Sequence, residues 1–355
     1  MQDEPLAAGP TTTTKRPTAG RRATSYDVAR AAGVAQSTVS RCFQDFSAIS
    51  PATRDLVLRT ARRLGYTPNA LARSLITRRS NMVGVIATGY TLRGNPDVIY
   101  AIGEALAAAG KRLLLVTAER DLPDAEALHD VLEFPLDGLI SCIQLGDDEI
   151  RWIRDRHIAL VLYNRTSPTI PIDTVAANHS VAAGIAAEAL HAAGHRRFLC
   201  VGGPPDAPVS RDRVAGFTDR LAAFGIRHTP VIATDFSYAS GHDGFLAWAK
   251  GGKLPDAVFC ANDQTALGVI DACRFTLGLA IPRDISVIGF DDVTEAARPS
   301  YLLTTMHQDS VDMARKAVDL LLQRLAAPDR PVVHVEVAAG LVVRDSARLA
   351  GANSA

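Results

Sequence analysis

The chain has 355 residues, 47% of them hydrophobic, and carries 38 Lys and Arg against 38 Asp and Glu, enough for a small headpiece and two ordinary domains with real cores. No run approaches the roughly 18 unbroken apolar residues of a membrane span. The first twenty residues lack the apolar stretch of a secretory signal, so a cytoplasmic protein is expected.

The neutral total hides an asymmetry. Residues 1–80 hold thirteen Lys and Arg against five acids, an excess of eight positive charges that the remainder offsets with eight negative ones. A basic end on a balanced chain points to a polyanionic partner for that end. The five cysteines, Cys42, Cys142, Cys200, Cys260 and Cys273, have neither CxxC nor Cys/His spacing. Buried reduced thiols are expected, with a redox sensor as the alternative, and no metal or cofactor.

Residues 1–23 are rich in Pro, Gly and Thr without hydrophobic period and read as a disordered basic arm. Its Arg21 and Arg22 either touch DNA backbone or serve only solubility. Thr24 to Asp45, TSYDVARAAGVAQSTVSRCFQD, reads as two short helices joined by a tight turn. Ala29 is small where the helices cross, Gly33 permits the positive φ of the turn, and Val28, Val34 and Val39 fill the crevice. The second helix offers Gln36, Ser37 and Arg41 outward, where they can reach base edges and phosphates in a major groove. The same spacing occurs in helical hairpins that bind nothing; the basic surroundings are what favour DNA.

Ser50-Pro51 starts a third helix that runs to about Leu64 and is closed by Gly65, with Leu56, Val57, Thr60 and Leu64 as its buried face. A headpiece over 24–67 results. In GYTPNALARSL, Pro68 or Asn69 can open a helix of about two turns, too short to hold alone in water. With its linker it occupies 68–80.

From Asn81 short apolar runs alternate with amphipathic stretches: MVGVIAT, a helix near 97–110, RLLLVTA, a helix near 124–134, DGLISCI, a helix near 147–157 and ALVLYN. A second series follows with FLCVGG, helices near 210–225 and 239–250, AVFCAND, a helix near 264–278 and SVIGFDD. Such alternation predicts α/β architecture with parallel sheets covered on both faces, here in two lobes spanning 81–346, before a tail at 347–355. Polar residues just past strand ends converge where ligands bind in such folds: Asn164, Arg213, Asn262 and Asp291. A guanidinium fork and a carboxylate can together grip vicinal sugar hydroxyls or comparable nucleobase groups. For Arg213 and Asp291 the alternative is a structural ion pair between lobes. Asn164 and Asn262 either add neutral donors and acceptors or cap the next helix, and Asp263 and Asp292 read as caps or interlobe contacts.

YDVARAAGVAQSTVSR followed by LGYTPNALARSL resembles the DNA-binding headpiece and hinge helix of the lactose/galactose repressor (LacI/GalR) family of bacterial transcription regulators. The resemblance continues through CANDQTALG, DISVIGFDD, LLTTMHQD and LVVRDS. It implies a periplasmic-binding-protein-like effector domain whose chain crosses between lobes near 178, 307 and 337. The N-lobe would then be about 81–177 plus 308–337, and the C-lobe about 178–307 plus 338–346.

It also implies a homodimer on a pseudo-palindromic DNA operator, acting as a repressor controlled by a small molecule of either sign. The helices from about Leu106, Glu126 and Val311 would contribute to the dimer. Gln36 and Ser37 would read bases, Arg41 a base or phosphate, and Tyr26, Thr38, Ser40 and Asn69 would position the backbone. Ala72 would face DNA beside Leu75, which matches the family's minor-groove wedge. Leu75→Ala is expected to weaken specific operator binding far more than nonspecific binding in a gel-shift titration; equal losses would remove the wedge.

The family position matching Arg213 makes paired hydrogen bonds to ligand hydroxyls, and that matching Asp291 accepts from the same ligand. Where many relatives have Asn-Pro and two aromatics, this chain has Asn95-Pro96-Asp97-Val98, so the aromatic platform for a sugar face is either missing or supplied by Tyr90. Arg165 and Arg211, with Arg213, make a sugar acid or sugar phosphate an expected effector, solvated surface arginines being the alternative. The P-loop, HExxH, GxSxG and GxGxxG patterns are missing, so no enzyme is expected. A sugar-binding protein or an α/β enzyme on the same body remains the rival, opposed by the basic headpiece. His307 belongs to a lobe crossing, and no leucine heptad follows Arg344 to make a tetramer.

Overall fold

The computed structural model describes residues 22–43, 49–67, 79–119 and 134–350. The chain divides into two compact units, Met1–Arg78 and Arg79–Ala355. Arg21, Asn69, Ala72 and Leu75, the expected hinge helix and most of the helix expected near 124–134 lie outside the described residues.

In the first unit, α1 (Ser25–Ala32), α2 (Gln36–Cys42) and α3 (Pro51–Leu64) close on Val28, Ala29, Val39, Cys42, Val57 and Ala61. Thr24 and Asp27 form a reciprocal capping box at the start of α1, and Gly33 ends it at φ 65°, the left-handed turn that joins α1 to α2. Ala35 caps α2 without a side-chain hydrogen bond, and a capping hydroxyl there is worth about 1 kcal/mol. Ser50 caps α3 with Pro51 at its first position, and Gly65 closes it. Leu56 corrects the expected buried face: it is 41% exposed, and Ala61 occupies the inner stripe instead. Val57, Thr60, Ala61 and Leu64 recur at i, i+3, i+4 and i+7, and Leu56 falls just off that stripe.

The second unit has two six-stranded sheets. The first is ordered β11-β5-β4-β3-β1-β2, with β1 Met82–Thr88, β2 Arg112–Ala118, β3 Gly138–Ser141, β4 Ala159–Tyr163, β5 Asp173–Ala177 and β11 His334–Val337, all parallel. The second is ordered β12-β10-β9-β8-β6-β7, with β6 Phe198–Gly202, β7 Val231–Ala233, β8 Ala257–Cys260, β9 Ser286–Asp291, β10 Thr304–Gln308 and β12 Ala339–Val342. Only the β10–β12 pair in it is antiparallel. Inner strands such as β4, β6 and β8 are buried along their whole length, as parallel strands covered on both faces must be.

Helices α4 (Gly89–Gly94), α5 (Asp97–Ala108), α6 (Asp147–Asp155) and α11 (Ser310–Ala326) belong to the first lobe. There α5 and α11 pack through Ile102, Leu106, Ala317 and Leu321 on one core, while Ile150 and Ile153 of α6 join another. Leu106 is fully buried in the first of these cores, and Val311 at the start of α11 is exposed. In the second lobe α7 (His179–Ala192) and α8 (Pro208–Ala223) pack on Phe217, Phe259 and Met306, and α9 (Tyr238–Ala249) and α10 (Asp263–Asp271) on Phe245, Val258 and Ile270. The helix expected near 264–278 stops at Asp271 and continues as a π-turn, Ala272–Thr276.

The chain passes between the sheets after Ala177, after Gln308 and between Val337 and Ala339. At two of these passages a polar residue caps the next helix: Asn178 accepts from Val181 N, and Asp309 from Asp312 N. Asp137, just before β3, accepts from Ser80 N at 2.7 Å, Asn81 N at 3.0 Å and Lys111 Nζ at 3.0 Å, fixing the chain's entry to the sheet. No helix among the described residues is long and apolar enough to cross a membrane.

Candidate effector-binding cleft

Between the carboxyl ends of the two sheets lies a cleft, partly open to solvent. Asn164, Arg213, Asn262 and Asp291 all line it, as do Tyr90 and Arg165. Arg211, expected beside them, is exposed and lies outside the lining, because it is two residues from Arg213 on α8 and so faces another way.

Arg213 is buried and held on several sides. Its Nε donates to His179 Nδ1 at 3.3 Å, its Nη1 to the Ala261 carbonyl at 2.6 Å, and its Nη2 lies 3.0 Å from Asp291 Oδ1. The guanidinium carbon stacks 3.8 Å over the Phe290 ring. Burial pulls the guanidinium down from its ordinary value and pushes the Asp291 carboxyl up, while their pairing opposes both shifts. Because a guanidinium does not deprotonate in proteins, pairing keeps this a charged couple. Both partners belong to the second lobe, so the ion pair expected as the alternative does not bridge the lobes.

The bridge runs through the crossing strand. Gln308 donates Nε2 to Asp291 Oδ1 at 2.7 Å and accepts from Asn164 Nδ2 at 3.1 Å. Asn164 also accepts from Ala177 N at 3.0 Å, so it ties strand ends together and caps no helix. Asn262 does cap, accepting from Thr265 N at 3.0 Å, and its amide donates to the Phe236 carbonyl at 2.9 Å.

Asp263 and Asp292 serve neither as caps nor as contacts across the cleft, which corrects both expectations. Asp263 is wholly buried and accepts from Thr305 Oγ1 at 2.5 Å and Val293 N at 2.9 Å. Asp292 sits between His307 Nδ1 at 3.0 Å and Arg344 Nη2 at 2.7 Å, fastening β10 to the segment after β12.

Burial, reinforced by Asp291, pushes the Asp263 carboxyl from 3.8 up to about 7. The folded protein therefore holds this proton more tightly than the unfolded chain, and between about pH 4 and pH 7 the Asp263 contribution to stability falls as pH rises. Asp263→Asn removes that dependence. Urea unfolding of both proteins across this window should show the wild type losing ground to the variant as pH increases; a constant difference would refute the assignment.

Two aromatic rings complete the wall. Tyr90, from the first lobe, stands 5.4 Å from Phe236 of the second, ring centre to ring centre, and Arg165 Nη2 donates to the Tyr90 hydroxyl at 3.4 Å. Phe236 escapes sequence reasoning, since it follows a three-residue strand on no periodic face. It holds a left-handed φ of 66°, rare for a bulky side chain, under the grip of Thr234 and Asn262. Asn164 at 52° and Asp291 at 116° share that unusual backbone, so strain gathers at the cavity rim. The usable sequence signal was the polar stretch Thr234-Asp235-Phe236-Ser237 before a helix, with Ser237 capping α9.

All five cysteines are buried and none forms a disulfide; burial pushes the Cys200 and Cys273 thiols up to about 12. Among the described residues no group of three or more His, Cys, Asp or Glu side chains could hold a metal ion.

On the first unit Tyr26 is 67% exposed, Ser37 and Arg41 are exposed, and Gln36, Thr38 and Ser40 are half-buried. Gln36 donates Nε2 to Ser25 Oγ at 3.2 Å, which fixes its amide across the α1–α2 junction.

Residues 24–69 match the model of the bacterial regulatory proteins of the lacI family, and residues 187–347 that of a periplasmic binding protein-like domain. The HTH-type transcriptional repressor PurR of Erwinia tasmaniensis is 31% identical over 91% of this chain and 96% of its own length. The chain belongs to the LacI family. A Lac repressor dimer bound to operator and the anti-inducer ONPF is similar to it with a TM-score of 0.82 and 28% identity, over 92% of this chain and 99% of that one. A complex of the transcriptional regulator CelR with cellobiose is similar with a TM-score of 0.67 and 26% identity, over 92% of this chain and 100% of that one. As a LacI-family member the chain is a sequence-specific DNA-binding transcription regulator of two-lobed α/β architecture, and the relatives are regulators and not enzymes.

Proposed function

We propose that this LacI-family regulator is a homodimeric repressor whose grip on a pseudo-palindromic operator is set by a sugar or sugar acid in the cleft. The observation that carries the ligand class is the Arg213–Asp291 pair, 3.0 Å apart in a cavity walled by Tyr90 and Phe236. A donor fork beside an acceptor matches adjacent hydroxyls, and aromatic faces take the C–H side of a sugar ring. Arg165, buried in the same wall, favours an acidic group on that sugar. The CelR–cellobiose complex supports a carbohydrate, and the operator-bound Lac repressor dimer supports the assembly.

Asn164 and Asn262 complete the contact set from the two sides of the cleft. At the other end Gln36, Ser37 and Arg41 read the operator from α2, with Tyr26, Thr38 and Ser40 on the backbone and Asn69, Ala72 and Leu75 in the hinge. The lobes divide as 81–177 with 308–337, and 178–307 with 338–346. A coupling of about 1–3 kcal/mol between cleft and operator is sufficient for control.

The test begins by selecting DNA fragments bound from the source genome, then titrating the complex with cellobiose, ribose and gluconate. Arg213→Ala is expected to hold the selected operator as tightly as the wild type while its response to the active sugar disappears. An unchanged response would remove Arg213 from the site, and an absence of sequence preference would remove the operator.

A further inference from the structure

His179 is the first residue of α7, immediately after the first passage between lobes, and it is fully enclosed. Its Nδ1 accepts the Arg213 Nε–H at 3.3 Å, its ring lies 5.8 Å from Phe290, and the Arg213 guanidinium stacks on that same Phe290. An acceptor at Nδ1 requires the tautomer with its proton on Nε2. Among the described residues that Nε2–H meets no hydrogen-bond partner. Burying an orphan donor is unfavourable, and a residue wanted only to fill space here would be apolar. The Nε bond to Arg213 is the interaction that distinguishes histidine from such a residue.

Arg213 offers five N–H groups in one plane. Fixing Nε from behind, with Nη1 on the Ala261 carbonyl and Phe290 beneath, leaves the guanidinium plane no freedom to rotate about its long side chain. The geometry points to His179 as a positioning residue for Arg213, holding it as a neutral acceptor so that the Nη edge meets Asp291 and the effector hydroxyls in one fixed orientation. This rests on the reading of Arg213 as an effector contact. Burial first, then the charges of Arg213 and Arg165, press the imidazole toward its neutral form, which is the form that can accept.

The full-length protein labelled with nitrogen-15 in arginine and histidine tests this without any ligand. Arg213→Ala identifies the Arg213 Nε–H signal, and His179→Asn identifies the His179 ring nitrogens. The expected result is a slowly exchanging Arg213 Nε–H, a wild-type His179 in the Nε2–H tautomer, loss of the slow exchange in His179→Phe, and its retention in His179→Asn, whose amide oxygen replaces the acceptor. With the sugar found active on the wild-type operator complex among cellobiose, ribose and gluconate, His179→Phe should lose about tenfold in affinity and His179→Asn much less.

An Nδ1–H tautomer, or an Arg213 signal unmoved by His179→Phe, overturns the inference. Should His179→Phe not fold, the wild-type tautomer and exchange rate still decide it. If the spectra agree but Arg213→Ala responds normally to the sugar, the effector role of Arg213 fails while the positioning of its side chain stands.

Discussion

Replacing Asp173 by alanine is expected to lower the free energy of unfolding by about 3–5 kcal/mol, the cost of stripping a buried ion pair of one partner. Asp173 opens β5 and is fully buried. It accepts from Arg324 Nε at 3.0 Å and Nη2 at 3.1 Å, from Arg330 Nη2 at 2.8 Å and from Val333 N at 2.9 Å. Without it two largely enclosed guanidiniums lose their only carboxylate among the described residues, and the loop that leads into β11 loses its clasp. Because β11 pairs with β5 from His334 onward, the damage reaches the third passage between lobes. Urea unfolding checks the size, and a loss under about 1 kcal/mol would mean that water already screens the cluster as it does a surface pair.

The second large effect is expected at Gly216. A Cβ there would lie 2.2 Å from the Ser180 carbonyl oxygen and 2.6 Å from its Cα, both backbone atoms in the first turn of α7. No rotamer change relieves that contact, so Gly216→Ala must push α7 and α8 apart, at a cost at or above the usual 1–3 kcal/mol or so of overpacking. The displaced turn contains His179 and the displaced helix carries Arg213, so the response to effector should fall together with thermal stability. Gly184→Ala is the control on the facing helix: its nearest atom is 3.6 Å away, an ordinary contact, and the change should be neutral or stabilising by about 0.5–1 kcal/mol. Equal losses in the two variants would contradict the close-approach account.

Much of this architecture was legible in the sequence because its signals are local. Ser50-Pro51 and Gly65 bracket α3, Gly33 makes the turn, and unbroken runs such as ALVLY and FLCVG become buried parallel strands. Arg213, in the second turn of the helix that follows β6, and Asp291, the last residue of β9, lie at the carboxyl end of the sheet, where α/β folds gather ligand contacts, and the structure brings them together in one cleft. Leu56 was misplaced because its neighbours satisfy the same hydrophobic period, and only packing decides which stripe turns inward. Phe236 and His179 were not singled out for a different reason. Each acquires its role from a partner more than thirty residues away or in the other lobe, Arg213 for His179 and Tyr90 for Phe236, and no spacing rule carries such a pairing.

The three passages between the lobes are neighbours: Ala177 pairs with Val337 in one sheet, and Gln308 pairs with Ala339 in the other. Two bodies joined by adjacent straps along one edge can open and shut like a book about that spine, whereas swivelling or sliding would shear at least one strap. An effector spanning the cleft would act on the angle about that spine. Gln308, bonded to Asp291 on one page and Asn164 on the other, sits on the spine where that angle is set.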